Sequence, residues 1–202
     1  TANAFNELGV SKDGCVSMML PNLPQTHFTI WGAEATGIFN PVNPLLEIEH
    51  IAAILNEANT KILVTLAPFP GTELWDKAKQ LKALVPGLEK ILTVDLGNYL
   101  PKEFADALTA DREEYLSDYV LDFDAFIEKF TADKLLSGRE ILSSDIASYF
   151  HTGGTTGTPK LAPHTHANEV AMSWQMNTMV DTKEGDVALC GLPLFHVNAV
   201  MA

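Results

Sequence analysis

Residues 151–160 read His-Thr-Gly-Gly-Thr-Thr-Gly-Thr-Pro-Lys, and their types suit a loop folded around phosphate oxygens. Gly153, Gly154 and Gly157 carry no Cβ, so the backbone there can take positive φ and turn successive N–H groups toward one anion. Thr152, Thr155, Thr156 and Thr158 add hydroxyl donors, and Lys160 adds a positive charge at the loop exit. The competing reading is a plain glycine-rich turn whose threonines bond only their own backbone. Against it, T-G-G-T-T-G-x-P-K specifies eight residue types in nine positions, a match that average residue usage yields by chance roughly once in a billion windows. The stretch is neither of two better-known phosphate fingerprints. A Walker loop needs Gly before its Lys and Ser or Thr after it, where Pro159 and Leu161 stand here, and adjacency of Gly153 and Gly154 breaks G-x-G-x-x-G.

Other residues with chemical potential are fewer. His164 and His166 form an H-x-H pair, but no cysteine or third well-spaced histidine accompanies them, so a metal site is not expected. His196, between Phe195 and Val197, reads either as a satisfied core histidine or as a substrate contact. Cys15 and Cys190 lie in apolar runs and read as small core residues, not as a disulfide or metal pair.

Alternating strands and helices must position these groups. The apolar run 15–20, ended by Pro21, predicts a strand covered on both faces, and Pro24 opens a helix that Gly37 stops. A short extended piece at 38–42 leads into the turn at Pro41 and Pro44. Ile48, Ile51, Ala52 and Leu55 mark one face of a helix over 47–58. A strand at 61–66, a helix at 72–84 and a strand at 89–94 follow. This alternation implies βαβ units and a largely parallel sheet. Regularity fades over 95–143, apart from a short helix expected at 122–131 from the spacing of Phe123, Phe126, Ile127 and Phe130. A strand at 145–150 then delivers the chain to the glycine-rich loop. Pro163 disfavours helix at the loop exit, so helix begins near Thr165 and runs to about Val180. Its Ala167, Val170, Ala171 and Trp174 face, together with Met172, Met176 and Met179 on another, predicts a helix sandwiched between layers with the methionines in the core. Residues 186–192 read as the next buried strand, presenting 193–198 where open α/β sheets bind ligands.

The 202 residues, 47% hydrophobic, are enough for a substantial core. A net charge of −13 argues against nucleic-acid binding, which needs clustered Lys and Arg. Thirteen acidic against five basic side chains fall in 95–145, net −8, which reads as a solvated surface excursion. No apolar run reaches the roughly 18 residues of a membrane span, and a reduced, cytoplasmic setting is expected.

Tyr149–Lys160 with the following Leu-Ala-Pro-His-Thr-His-Ala-Asn resembles the phosphate-loop signature of the adenylate-forming superfamily, which includes acyl- and aryl-CoA synthetases, adenylation domains of peptide synthetases and beetle luciferases. Residues 192–198 (Leu-Pro-Leu-Phe-His-Val-Asn) resemble its next motif, and 32–44, ending Pro-Val-Asn-Pro, an upstream one. The resemblance implies an α/β fold, the N-terminal part of the large adenylate-forming domain, with largely parallel sheets flanked by helices. It would comprise βα units over 1–94, an acidic irregular segment over 95–144, and the phosphate loop with its following helix and strand over 145–202. The remainder and a small C-terminal domain would be missing, leaving the fragment inactive alone.

The resemblance also implies a reaction: ATP-dependent activation of a carboxylic acid, most like a fatty acid, to acyl-adenylate, then transfer to coenzyme A, with Mg²⁺ carried on the nucleotide. Lys160 would be catalytic. Thr152, Gly153, Gly154, Thr155, Thr156, Gly157 and Lys160 would hold the ATP phosphates, while Phe195, His196 and Val197 would contact the acid; His166 matches a histidine expected to be structural. Adenylating enzymes with another acceptor, and a non-catalytic nucleotide-binding module, remain the alternatives. Oligomeric state and acid chain length are not legible.

Overall fold

A computed structural model describes residues 1–110, 114–152 and 160–201, so Gly153, Gly154, Thr155, Thr156 and Gly157 lie outside the described residues. Among the described residues seven strands form one sheet: β1 (Cys15–Met19), β2 (Ile38–Pro41), β3 (Thr60–Leu66), β4 (Lys90–Val94), β5 (Val120–Asp122), β6 (Ile146–His151) and β7 (Leu161–Thr165). Their order across it is β5-β4-β3-β1-β2-β6-β7. All neighbouring pairs are parallel except β6 with β7, which run antiparallel with His151 opposite Leu161. The α/β class and the largely parallel sheet are as the strand–helix alternation implies.

Helices cover both faces, which is why the central strands are apolar without interruption. One face packs Val16, Met18, Ile62, Val64, Leu92 and Val94 against Phe5 of α1 (Ala2–Glu7), Ile30 and Ala33 of α2 (Pro24–Thr36), and Phe123 of α6 (Phe123–Ile127). The other packs Met19, Leu63 and Ile91 against Ile51, Ile54 and Leu55 of α3 (Ile48–Glu57) and Trp75, Ala78 and Leu81 of α4 (Leu74–Leu84). Between the layers a polar chain crosses three strands: the Asn40 amide donates to Ser17 Oγ at 2.7 Å, and Ser17 shares a 2.7 Å hydroxyl bond with Thr60. Cys15 is buried, as expected, and burial pushes its thiol up to about 12.

Several elements were not foreseen. Within 95–143 the chain forms a 3-10 turn at Leu96–Tyr99, α5 (Lys102–Thr109) and the three-residue β5. These elements are short, and α5 buries none of its residues, so they stand apart from the core that the longer elements share. β7 contains Pro163, and as an edge strand it has one side on which a missing N–H costs nothing. The helix after it, α7 (His166–Val180), starts as anticipated: Thr165 and Asn168 cap each other's backbone N–H at 3.2 and 3.0 Å.

Two expectations fail. α7 is not sandwiched: none of its residues is buried, and Val170, Trp174, Met172 and Met179 are exposed. Residues 186–192 form no strand, Val187 and Leu189 are almost wholly exposed, and Cys190 is an exposed thiol, not a core residue. Apolar spacing records a demand for burial without naming what meets it. A strand further needs a neighbour for its backbone groups, and 186–192 pairs with neither edge strand, β5 or β7.

Two close fits anchor the sheet. At Gly37, which ends α2, a Cβ would stand 2.2 Å from the Gly14 carbonyl oxygen and 2.6 Å from that of Ser11. Gly37→Ala is expected to destabilise the chain by roughly 1–3 kcal/mol, read as a lowered Tm, because backbone must move to admit the methyl. Ahead of β6, the buried Asp145 carboxylate accepts from Lys12 Nζ at 2.6 Å, from the Leu142 N–H at 3.2 Å and from Arg139 at 3.3 Å. These partners, Lys12 foremost, hold Asp145 down at about 2 against an ordinary 3.8. The stability this contributes is present above pH 3.8 and is lost as pH falls toward 2. Asp145→Asn should therefore be less stable than the native chain at neutral pH, with the gap closing in acid unfolding titrations.

Candidate nucleotide and acid site

Six parallel strands place their C-terminal ends along one edge of the sheet. The chain passes from β1 to β2 on one side and later returns to put β3 on the other, so connections diverge between β1 and β3. Such a divergence opens a crevice. A cavity of about 720 Å³ occupies it, lined by Leu20 beyond β1, Leu66 at the end of β3, Leu74, Pro44 and Phe195. The Pro-Val-Asn-Pro turn at its rim is held from below, since Lys77 of α4 donates to the Pro44 and Leu46 carbonyls at 2.8 and 3.0 Å. Opposite, Asn22 grips the 192–194 segment with both ends of its amide: Nδ2 donates to Leu192 O at 2.8 Å and Oδ1 accepts from the Leu194 N–H at 2.9 Å. Leu194 is buried by that contact.

The glycine-rich stretch spans the turn between β6 and β7. Its neck is closed by the Thr152 N–H donating to the Lys160 carbonyl at 2.9 Å, and the Thr152 hydroxyl leans on the same oxygen at 3.3 Å. Thr152 thus fixes where the loop leaves and rejoins the sheet. The Lys160 side chain is exposed, and no carboxylate pairs with it among the described residues. Its charge is free to meet an anion at the loop exit.

Three separate motifs meet at His151, the last residue of β6. Its Nε2 accepts from the Asn43 N–H of the proline turn at 3.4 Å, which assigns the proton to Nδ1. Burial chiefly, and the nearness of His196, depress its basicity below the ordinary 6.5, so the ring is neutral. His151 escaped the sequence reading except as the first letter of the loop, and Asn22 and Lys77 carried no signal at all. His196 is exposed, which removes the core reading; its Nδ1 accepts from the Asn198 N–H at 3.3 Å. Phe195 is half-buried at the cavity, and Val197 begins α8 (Val197–Met201). His164 and His166 diverge: His164 lies against the Phe150 ring at 5.1 Å, while His166 faces a second cavity. Among the described residues no three acidic, histidine or cysteine side chains are grouped to hold a metal.

A largely parallel α/β sheet whose connections diverge at its centre defines a class of proteins that bind ligands at the strand ends. Comparison places the chain more closely: it belongs to the AMP-binding enzyme family, whose model matches residues 1–202. It is 37% identical to the marinolic acid–CoA ligase of Pseudoalteromonas sp. (strain SANK 73390) over 99% of this chain and 28% of that protein. It is 32% identical to the long-chain-fatty-acid–CoA ligase of Bacillus subtilis (strain 168) over 96% of this chain and 35% of that protein. The chain therefore spans about a third of the length of these curated relatives. Its fold is similar to a candidate long-chain-fatty-acid CoA ligase from Rhodopseudomonas palustris CGA009 (TM-score 0.73, 22% identity, 98% of this chain and 43% of that one). It is also similar to the anthranilate CoA ligase AuaEII in complex with anthranoyl-AMP (TM-score 0.67, 21% identity, 86% and 29%). No helix among the described residues is long and apolar enough to cross a membrane.

The convergence at His151 is open to direct titration. By nitrogen-detected NMR its midpoint should fall below 6.5, and His196→Ala should raise it by removing a neighbouring positive charge. A midpoint at or above 6.5 in the native protein would contradict this arrangement.

Proposed function

We propose that the whole protein is an AMP-forming acid–thiol ligase acting on a carboxylic acid of the fatty class. The observation that carries this reading is the family match across the entire chain, joined to a loop whose two ends are pinned at the sheet edge with Lys160 unpaired beside them. In the first half-reaction a carboxylate oxygen attacks the α-phosphorus of ATP, forming the acyl-adenylate as pyrophosphate leaves with the electron pair of the broken P–O bond. In the second, the thiol of coenzyme A attacks the acyl carbon and AMP departs.

The chain's own contribution is to position and neutralise. Lys160 offsets the charge that develops on the leaving β and γ phosphates, with Gly153, Gly154, Thr155, Thr156 and Gly157 supplying loop donors and Thr152 the neck. Mg²⁺ would come on the nucleotide and add further charge compensation there. Phe195, His196 and Val197 contact the acid, Phe195 from the wall of the apolar cavity. Two of the relatives with related printed activities take acids of very different shape, marinolic acid and long-chain fatty acids, which supports the general chemistry more than any one chain length. The exposed apolar face of α7 and the 186–192 run pack, in this reading, on the rest of the domain, and the 202 residues alone do not turn over.

Carboxylate-dependent ATP–pyrophosphate exchange by the whole protein, across acetate, long-chain fatty acids and aryl acids, tests this. Exchange with fatty acids is expected, and Lys160→Ala should slow it on the order of 10²-fold, as loss of one preorganised donor does. ATP binding without exchange for any acid would instead support a nucleotide-binding module.

A further inference from the structure

Beside the loop, and outside the machinery above, two carboxyl groups meet in a place that disfavours charge. Glu34 of α2 is 6% exposed, and its Oε1 has no hydrogen-bond partner. Its carboxyl shares a cavity with that of Glu169 on α7, close enough for the two to interact, and Glu169 Oε1 accepts from the Ser148 hydroxyl of β6 at 2.5 Å. Both line a cavity of about 430 Å³ with Trp31, Ile141, His166 and Val170.

Two ionised carboxylates so placed, one buried, would repel each other at close range. One shared proton removes the conflict. Protonated Glu34 donates to Glu169, Ser148 donates to the same carboxylate, and the orphan Glu34 Oε1 is then a carbonyl oxygen, far cheaper to leave unpaired than an ionised one.

We propose that Glu34 and Glu169 form a proton-sharing carboxyl pair that positions α7, and with it the strand leaving the phosphate loop, against β6 and α2. The connectivity makes this specific. Ser148 lies three residues before His151 on the strand entering the loop, and Glu169 lies nine residues after Lys160 on the helix that leaves it. The pair therefore bridges both sides of the loop to a third element. Around it, His166 faces the same cavity from α7, and Arg139 and Asp145 approach His166 from the segment ahead of β6. Asp145 already engages Lys12 and Arg139, and among the described residues no cation pairs with Glu34.

Burial first, and the Glu169 charge second, raise Glu34 to about 9 from an ordinary 4.5. The native state then binds one more proton than the unfolded chain between those values, so this contribution to stability is whole below 4.5 and declines as pH rises toward 9.

The test compares the whole protein with its Glu34→Gln, Glu34→Leu and Glu169→Gln variants by thermal unfolding and by ATP–pyrophosphate exchange across about pH 6 to pH 10. The amide of the Glu34→Gln variant keeps a donor for Glu169 but has no proton to lose. The native protein should therefore lose Tm relative to Glu34→Gln as pH rises toward 9, and Glu34→Leu, which abolishes the donor, should not be rescued at any pH. Exchange rests on the function proposed above: there the native rate should fall roughly tenfold relative to Glu34→Gln over the last pH unit or two, with KM for ATP rising. Glu169→Gln, which removes the neighbouring charge that raises Glu34, should make the Tm decline end at lower pH than in the native protein. Parallel pH profiles for native protein and Glu34→Gln would overturn the pair. Absence of exchange with every acid would overturn the function, and the Tm profiles would still decide the pair.

Discussion

The constraint on which the rest of the structure depends is the parallel pairing of β1 with both of its neighbours, β2 on one side and β3 on the other. A parallel pair cannot be closed by a tight turn, so each step needs a crossover, and each crossover here is a helix laid on a face of the sheet. With both faces occupied, the central strands are obliged to be apolar on both sides. Because β2 and β3 lie on opposite sides of β1, crossovers leave the centre in opposite directions and the strand ends there stay uncovered. The cavity beside Leu20 and Leu66 follows from strand order, before any side chain is chosen for binding.

The one antiparallel pair sets a different kind of order. β6 enters the glycine-rich loop and β7 leaves it, so the loop is a hairpin connection and not the N-terminus of a helix. In the function proposed above, phosphate binding would draw on Lys160 and backbone N–H groups more than on a helix dipole, since α7 begins only after β7. The neck bond between Thr152 and Lys160 keeps both ends of the loop in register with His151, whose neutral ring is in turn tied to the Pro-Val-Asn-Pro turn. A displacement of any one of these segments is thus transmitted to the others through direct bonds.

What could be read from the chain alone divides along the same physical line. β1, β3 and α3 were legible because both sides of a buried strand, or one side of a helix, leave a periodic trace in Val, Ile and Leu. The reading of three glycines and four hydroxyls at 152–158 as a phosphate loop falls on residues that lie, all but Thr152, outside the described ones. β7 was hidden by Pro163, which is tolerated only because the strand lies at an edge, a fact of topology that local sequence does not carry. His151 and Asn22 were hidden for a related reason: their partners, Asn43 and Leu192, are more than a hundred residues away. The error at α7 and 186–192 was of the opposite kind, an apolar pattern read correctly as a need for burial and wrongly as burial achieved.

The chain carries a net charge of −13, and part of its acidic surface is gathered at one edge of the sheet. The acidic residues of 95–122 flank β4 and β5, at one edge, whereas β6 and β7 lie at the other. Five strand spacings from β5 to β6 amount to about 24 Å, well beyond the screening length of about 8 Å at physiological salt. Two buried acidic groups beside β6 are accounted for: Asp145 pairs with Lys12 and Arg139, and in the proposal above Glu34 shares a proton with Glu169. The overall charge bears on solubility more than on any one site.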